Sequence, residues 1–295
     1  MEQPFNENSF VYGRYTQQQL DSQYDQRTLV HNPETYKARK VAESARVRSK
    51  LTGTYNIPYG AGPDETLDLF LAASERQPVL VFIHGGAWKA GHKDESSYVA
   101  ECFVEKQINV AVLNFSLVPH VRLEDQVRQV ASAIQWLHNA GSHFGLDASR
   151  LVVLGHSSGA HLAAMMGVRT WTDDCAIAGV AAFSGMFDLE PVRLSWRNQY
   201  LQLTDAQAAL LSPIKLISAT QPRMVVGYGS NELAEFQRQS RSFCAALRKN
   251  CCDVTEMIFE GKNHFDVQEQ LSQAESSLLM AVLALFRNGA ELKKG

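Results

Sequence analysis

The chain has 295 residues, 45% of them hydrophobic and 20% charged, the composition of an ordinary globular protein. Lys plus Arg number 28 against 31 Asp plus Glu, a net charge of −3. With no basic run to track a phosphate backbone, nucleic-acid binding is disfavoured. Five cysteines at irregular spacing, none in a CxxC pair, argue against a disulfide framework or a zinc cage and for a reducing compartment. Residues 1–8 are polar and acidic, unlike a signal peptide, and the longest apolar run, residues 278–286, is too short to span a bilayer. A cytoplasmic location without membrane contact is therefore expected.

Residues 1–49 read as a polar, helix-friendly N-terminal extension draped over a main domain of residues 50–295. In that domain apolar strand-like runs alternate with amphipathic stretches, which predicts α/β architecture with a mostly parallel sheet and helices on both faces. Residues 66–71 alternate and read as an edge-side strand. The runs at 79–83, 109–115, 151–154, 180–183, 224–226 and 254–259 read as the core strands that follow. Helices are predicted over 121–140, where Leu123, Val127, Val130, Ile134 and Leu137 keep helical spacing, and over about 160–170. Leu233, Phe236, Phe243 and Leu247 mark another, and residues 267–286 the last. Residues 186–221 break the alternation with prolines and aromatic residues and read as a small cap insertion.

The sharpest local signal is Gly155-His156-Ser157-Ser158-Gly159, placed between a strand and a helix. That context is the one a nucleophile elbow requires: the glycines permit a tight turn, and the serine hydroxyl stands clear at the helix N-terminus. Directly after the 79–83 strand comes His84-Gly85-Gly86-Ala87-Trp88. A glycine-rich loop there can turn backbone N–H groups towards a developing oxyanion. Gly86, Ala87 and Ser158 are the expected donors, and His84 reads as a buttress of its loop. Of the nine histidines, His264 lies in Gly261-Lys262-Asn263-His264-Phe265, between the last strand and the last helix, where the base of a Ser–acid–His order belongs. The loop Gly227-Tyr228-Gly229-Ser230-Asn231-Glu232 contains one carboxylate, Glu232, which is the expected acid, with Glu235 and Asp266 as rivals. His156 and His161 lack the HExxH form, so no metal is expected, and no cofactor.

These residues resemble the α/β-hydrolase superfamily, its hormone-sensitive-lipase-like branch, and most closely the kynurenine formamidases (arylformamidases). The HGG-x-W run of 84–88, the stretch Glu232-Leu233-Ala234-Glu235-Phe236-Gln237-Arg238-Gln239-Ser240, and Tyr55-Asn56-Ile57-Pro58-Tyr59-Gly60 carry the likeness. It extends from about residue 20 to the end, with two departures. Ala160 follows the elbow where related esterases often have a second glycine, and Glu232 stands where many animal members have Asp. The resemblance implies a serine hydrolase of the tryptophan-degradation route that cleaves N-formyl-L-kynurenine to formate and L-kynurenine. Ser157, Glu232 and His264 would form its catalytic triad. It implies a small-molecule substrate as partner. A homodimer is compatible with the chain, whose oligomeric state the sequence leaves open. Trp88, Phe187, Trp196 and Tyr200 are candidate pocket residues, and Arg193 is a candidate partner for a substrate carboxylate. The alternatives are a broad-specificity carboxylesterase and a non-catalytic binding protein on a hydrolase scaffold.

Overall fold

Eight strands pair in the order β1-β2-β4-β3-β5-β6-β7-β8 in the computed structural model, which describes residues 9–172 and 175–287. They are β1 (Gly53–Pro58), β2 (Thr66–Phe70), β3 (Gln77–Ile83), β4 (Asn109–Leu113), β5 (Leu146–His156), β6 (Gly179–Phe183), β7 (Arg223–Gly229) and β8 (Val254–Phe259). All pairings from β4 to β8 are parallel, whereas β2 runs antiparallel to both its neighbours. The helices are α1 (Gln17–Ser22), α2 (Pro33–Lys50), α3 (Ala100–Val104), α4 (Leu123–Ala140), α5 (Ser158–Val168), α6 (Glu190–Leu194), α7 (Asn198–Leu201), α8 (Asp205–Leu210), α9 (Ala234–Lys249), α10 (His264–Glu269) and α11 (Ser277–Ala284).

Because successive strand side chains point to opposite faces, the continuous apolar strands feed two cores. Val79, Val81 and Ile83 of β3 join Leu151 and Val153 of β5 on one face, against Val130, Ile134 and Leu137 of α4 and Phe236 and Phe243 of α9. Leu80 and Phe82 join Val152 and Leu154 on the other, against Val47 of α2, Phe103 of α3 and Leu278 and Val282 of α11. Helix α5 is buried along its whole length, and its alanines and glycines let it sit close to the sheet. The parallel strands thereby end at one edge of the sheet, where their loops carry residues 84, 157, 232 and 264.

Three elements differ from expectation. Residues 66–70 are not at the sheet edge: β1 lies outside them, and its half-exposed pattern lacks the apolar run that betrays a strand. Strand β5 starts at Leu146, ahead of its apolar run, and its polar start pairs with Gln77 and Pro78 through a register shift. The last helix is two helices, since Ser276 caps the start of α11 through Leu279 N–H and the polar stretch before it breaks the apolar period.

The N-terminal segment comprises α1, a 3-10 turn at Gln26–Leu29, and α2. The segment between β6 and β7 carries α6, α7 and α8. The two segments meet: Gln17 donates to the Leu194 carbonyl, the Asp21 carboxylate accepts from Trp196 N–H, and Arg197 donates to the Tyr24 carbonyl. No helix among the described residues is long and apolar enough to cross a membrane.

Candidate active site

Strand β5 enters the turn at His156, and Ser157 takes φ 59° and ψ −125° before α5 begins at Ser158. For a non-glycine residue this backbone is strained by about 1–3 kcal/mol, and such strain concentrates at functional sites. The flanking glycines are demanded by space. A Cβ on Gly155 would stand 2.1 Å from the Gly159 carbonyl oxygen, and one on Gly159 would stand 2.2 Å from that of Ile83. The turn is thus wedged between its own helix and β3.

The loop after β3 is wound left-handed at Gly86 (φ 135°), Ala87 (53°) and Trp88 (62°). The Gly86 carbonyl accepts from Lys89 and Ala90 N–H, which closes the loop. The N–H groups of Gly86, Ala87 and Ser158 have no protein acceptor among the described residues. Trp88, 1% exposed, anchors the loop from below. Its Nε1 donates to His161 Nδ1 at 3.2 Å, so the His161 proton resides on Nε2, which donates to the Leu211 carbonyl at 2.7 Å. Burial holds the His161 pKa down at about 4, and that of His84, stacked on Phe115 with 4.5 Å between ring centroids, also at about 4.

His264 Nδ1 lies 3.0 Å from Glu232 Oε2. The same carboxylate accepts from Ser184 Oγ at 2.5 Å, Gly229 N–H at 2.8 Å and Gln26 Nε2 at 3.3 Å. Four donors thus satisfy the Glu232 carboxylate although its side chain is fully buried. The Nδ1 proton is committed to Glu232, leaving Nε2 as a free acceptor. The rival acids are occupied elsewhere: Glu235 pairs with Arg238, and Asp266 caps α10 with Asn263 and accepts from Tyr36. His156, its ring centroid 4.6 Å from that of His264, donates Nε2–H to the His264 carbonyl at 3.0 Å. Burial keeps its pKa well below the usual histidine value.

A family model described as BD-FAE matches residues 67–247. The kynurenine formamidase of Danio rerio is 31% identical over 81% of this chain and 83% of its own length. The chain belongs to the BD-FAE family of α/β-hydrolases. A second relative, an isoprenylcysteine α-carbonyl methylesterase-like protein of Arabidopsis thaliana, is 26% identical over 72% of this chain and 51% of its own. A solved structure of a candidate thioesterase from Silicibacter sp. superposes with a TM-score of 0.81 at 27% identity, covering 90% of this chain and 98% of that one. This α/β-hydrolase is accordingly an enzyme of hydrolytic, esterase-like chemistry.

In the hydrolase, Ser157, His264, Gly86 and Ala87 open onto one cavity of about 400 Å³. Ser157 and His264 share it without a direct hydrogen bond between them. A somewhat larger surface groove, about 470 Å³, runs along α2 beside Phe265 and Glu269 and holds neither Ser157 nor His264. Among the described residues no cluster of His, Cys, Asp and Glu is arranged for a metal.

Of the expected pocket residues, Trp196 lines the cavity. Trp88 and Phe187 do not, because both are core residues; Phe187 is stacked on Phe243 at 4.4 Å. Tyr200 packs behind Trp196, edge to ring at 5.9 Å. Arg193 is not at the cavity either: its guanidinium is held by Glu190 and Asp205 on α6 and α8. Sequence reading missed Arg197, Lys89, Tyr24 and Gln26, all of which line the cavity. No local pattern singles out Tyr24, Gln26 or Arg197, which reach the site only through packing of the N-terminal and inserted segments, whereas Lys89 follows directly on the Gly86–Trp88 loop.

Proposed function

We propose that the protein hydrolyses N-formyl-L-kynurenine to formate and L-kynurenine, with Ser157, His264 and Glu232 as catalytic triad. The observation that carries this reading is the 3.0 Å Glu232–His264 pair, whose His264 opens onto the cavity that holds the strained Ser157. The formamidase relatives supply the substrate class.

In this mechanism His264 Nε2 takes the Ser157 proton as Oγ attacks the formyl carbonyl, and the imidazolium is stabilised by Glu232. The negative charge on the former carbonyl oxygen faces the N–H groups of Gly86, Ala87 and Ser158, which are preorganised and unoccupied. His264 then gives the proton to the leaving arylamine nitrogen as the C–N bond breaks, releasing L-kynurenine and leaving formyl-Ser157. A water deprotonated by His264 attacks that ester, and formate departs as the proton returns to Ser157. A second reading, a broad-specificity carboxylesterase, is supported by the methylesterase-like relative. The five cysteines are free thiols, which suits a cytoplasmic setting.

The experiment follows N-formyl-L-kynurenine consumption by ultraviolet absorbance, alongside p-nitrophenyl acetate hydrolysis. The proposal expects kcat/KM for the formamide to exceed that for the ester. Ester turnover without formamide turnover would replace it by the carboxylesterase reading.

A further inference from the structure

Arg197 is 6% exposed and lines the cavity that contains Ser157. Its Nη2 donates to the Tyr24 carbonyl at 2.7 Å, its Nη1 rests 3.2 Å from Met186 Sδ, and its Nε has no partner. No carboxylate among the described residues forms an ion pair with it. The nearby Asp25 is already held by Nε and Nη2 of Arg27, each at 2.8 Å. Burying a cation without a counter-anion is unfavourable, and Arg197 pays that cost with one aromatic face, the Tyr24 ring 5.2 Å from its Cζ.

A second cation lies on the same cavity. Lys89, directly after the Gly86–Trp88 loop, rests its Nζ over the ring of Tyr200 at 4.2 Å and that of Trp196 at 5.2 Å. It too has no carboxylate within ion-pair distance among the described residues. The cavity's remaining acidic groups do not compensate: Asp25 pairs with Arg27, Glu95 stands 3.8 Å from Lys40 Nζ, and the third, Glu34, shares the lining with a further cation, Lys37. The surplus positive charge therefore sits at Lys89 and Arg197, with the indole of Trp196 beside both in the lining.

We propose that Lys89 and Arg197 form an anion subsite that takes the carboxylate of an aromatic substrate, with Trp196 against its ring, while the scissile carbonyl lies at Ser157. The subsite rests on the reading of this cavity as the active site, and it assigns to Arg197 the task that sequence reading gave to Arg193. Guanidinium and carboxylate match as a fork, and the guanidinium of Arg197 keeps hydrogen-bonding capacity that no protein acceptor uses.

The test is calorimetric titration of the whole protein with 3-benzoylpropanoate and, separately, with its uncharged amide. Binding needs no turnover, so the result is independent of whether N-formyl-L-kynurenine is the substrate. The wild type is expected to bind the acid at least ten times more tightly than the amide. Lys89→Met should reduce that ratio several-fold, Arg197→Gln should bring it close to one, and Arg197→Lys should restore part of it. A ratio near one in the wild type overturns the proposal. So does a ratio that survives in both Lys89→Met and a folded Arg197→Gln, which would place the anion on the Gly86–Trp88 loop. Should Arg197→Gln fail to fold, an unchanged ratio in Lys89→Met is sufficient to overturn it. A preserved acid preference with no formamide turnover would instead leave the subsite standing and sink the substrate assignment.

Discussion

Gln26 Nε2 lies 3.3 Å from Glu232 Oε2, across 206 positions of chain, and Gln26 Oε1 accepts from the Leu233 N–H at 3.3 Å. One amide from the N-terminal segment thus holds both the carboxylate paired with His264 and the backbone that follows it. Gln26 is 5% exposed, so solvent does not readily replace it. Gln26→Ala is expected to lower kcat about tenfold, equivalent to ~1.4 kcal/mol. Gln26→Glu should be worse, because a second carboxylate beside Glu232 raises the pKa of the pair and moves the acid limb of the kcat profile upward. Pre-steady-state rates against pH would check both, and a wild-type profile in Gln26→Glu would contradict the role.

Ser157→Ala should abolish hydrolysis of formamide and ester alike in a folded protein, since losing a triad nucleophile costs several orders of magnitude. Labelling by a fluorophosphonate should disappear with it. Retained labelling at Ser158 would move the nucleophile by one residue.

Gly86 tests the proposed oxyanion loop. Alanine there would place its Cβ 1.9 Å from the Ala90 carbonyl oxygen at φ 135°, so the loop must rearrange. Gly86→Ala is expected to lower kcat roughly 100-fold, the scale of one lost oxyanion donor, with a smaller change in KM. Steady-state kinetics on both substrates, with thermal unfolding to show the fold intact, decide it.

The acid assignment is checked by three amide variants. Glu232→Gln should lose the most kcat, because the neutral amide no longer stabilises the His264 imidazolium. Asp266→Asn and Glu235→Gln should stay within about tenfold of wild type, ~1.4 kcal/mol or less. A crippled Asp266→Asn beside a mild Glu232→Gln would mean the acid comes from the wrong loop.

Stability should fall with acid in a defined window. His84 and His161 have pKa values of about 4 in the fold, against about 6.5 unfolded, and His156 is shifted the same way. Above pH 6.5 these rings are neutral in both states and their burial carries no ionisation penalty. As the pH drops below 6.5 the unfolded chain binds protons that the fold does not, and stability is lost down to about pH 4. Each fully linked histidine contributes about 1.4 kcal/mol per pH unit. Urea midpoints at pH 7, 6 and 5 should therefore decline, and His161→Gln, if folded, should decline less steeply.

What the sequence by itself determined is local. The 79–83 and 151–154 runs lie on both-face-buried strands, and a strand buried on both faces must be apolar at every position, which makes it visible. The HGG and GHSSG turns are likewise readable, because the backbone they adopt admits few residues and their neighbours in space are their neighbours in sequence. Tertiary structure alone decided the rest. Edge strand β1 buries too little to show a pattern. Arg193 and Arg197 are four residues apart and chemically identical, yet one is spent on Glu190 and Asp205 while the other is turned towards Tyr24 and the cavity. That choice depends on how the N-terminal and inserted segments pack against each other, and the reach of Gln26 to Glu232 on how the N-terminal segment packs against the loop after β7. No short-range spacing encodes it, because the contacts that settle it are separated by 173 and 206 positions of chain.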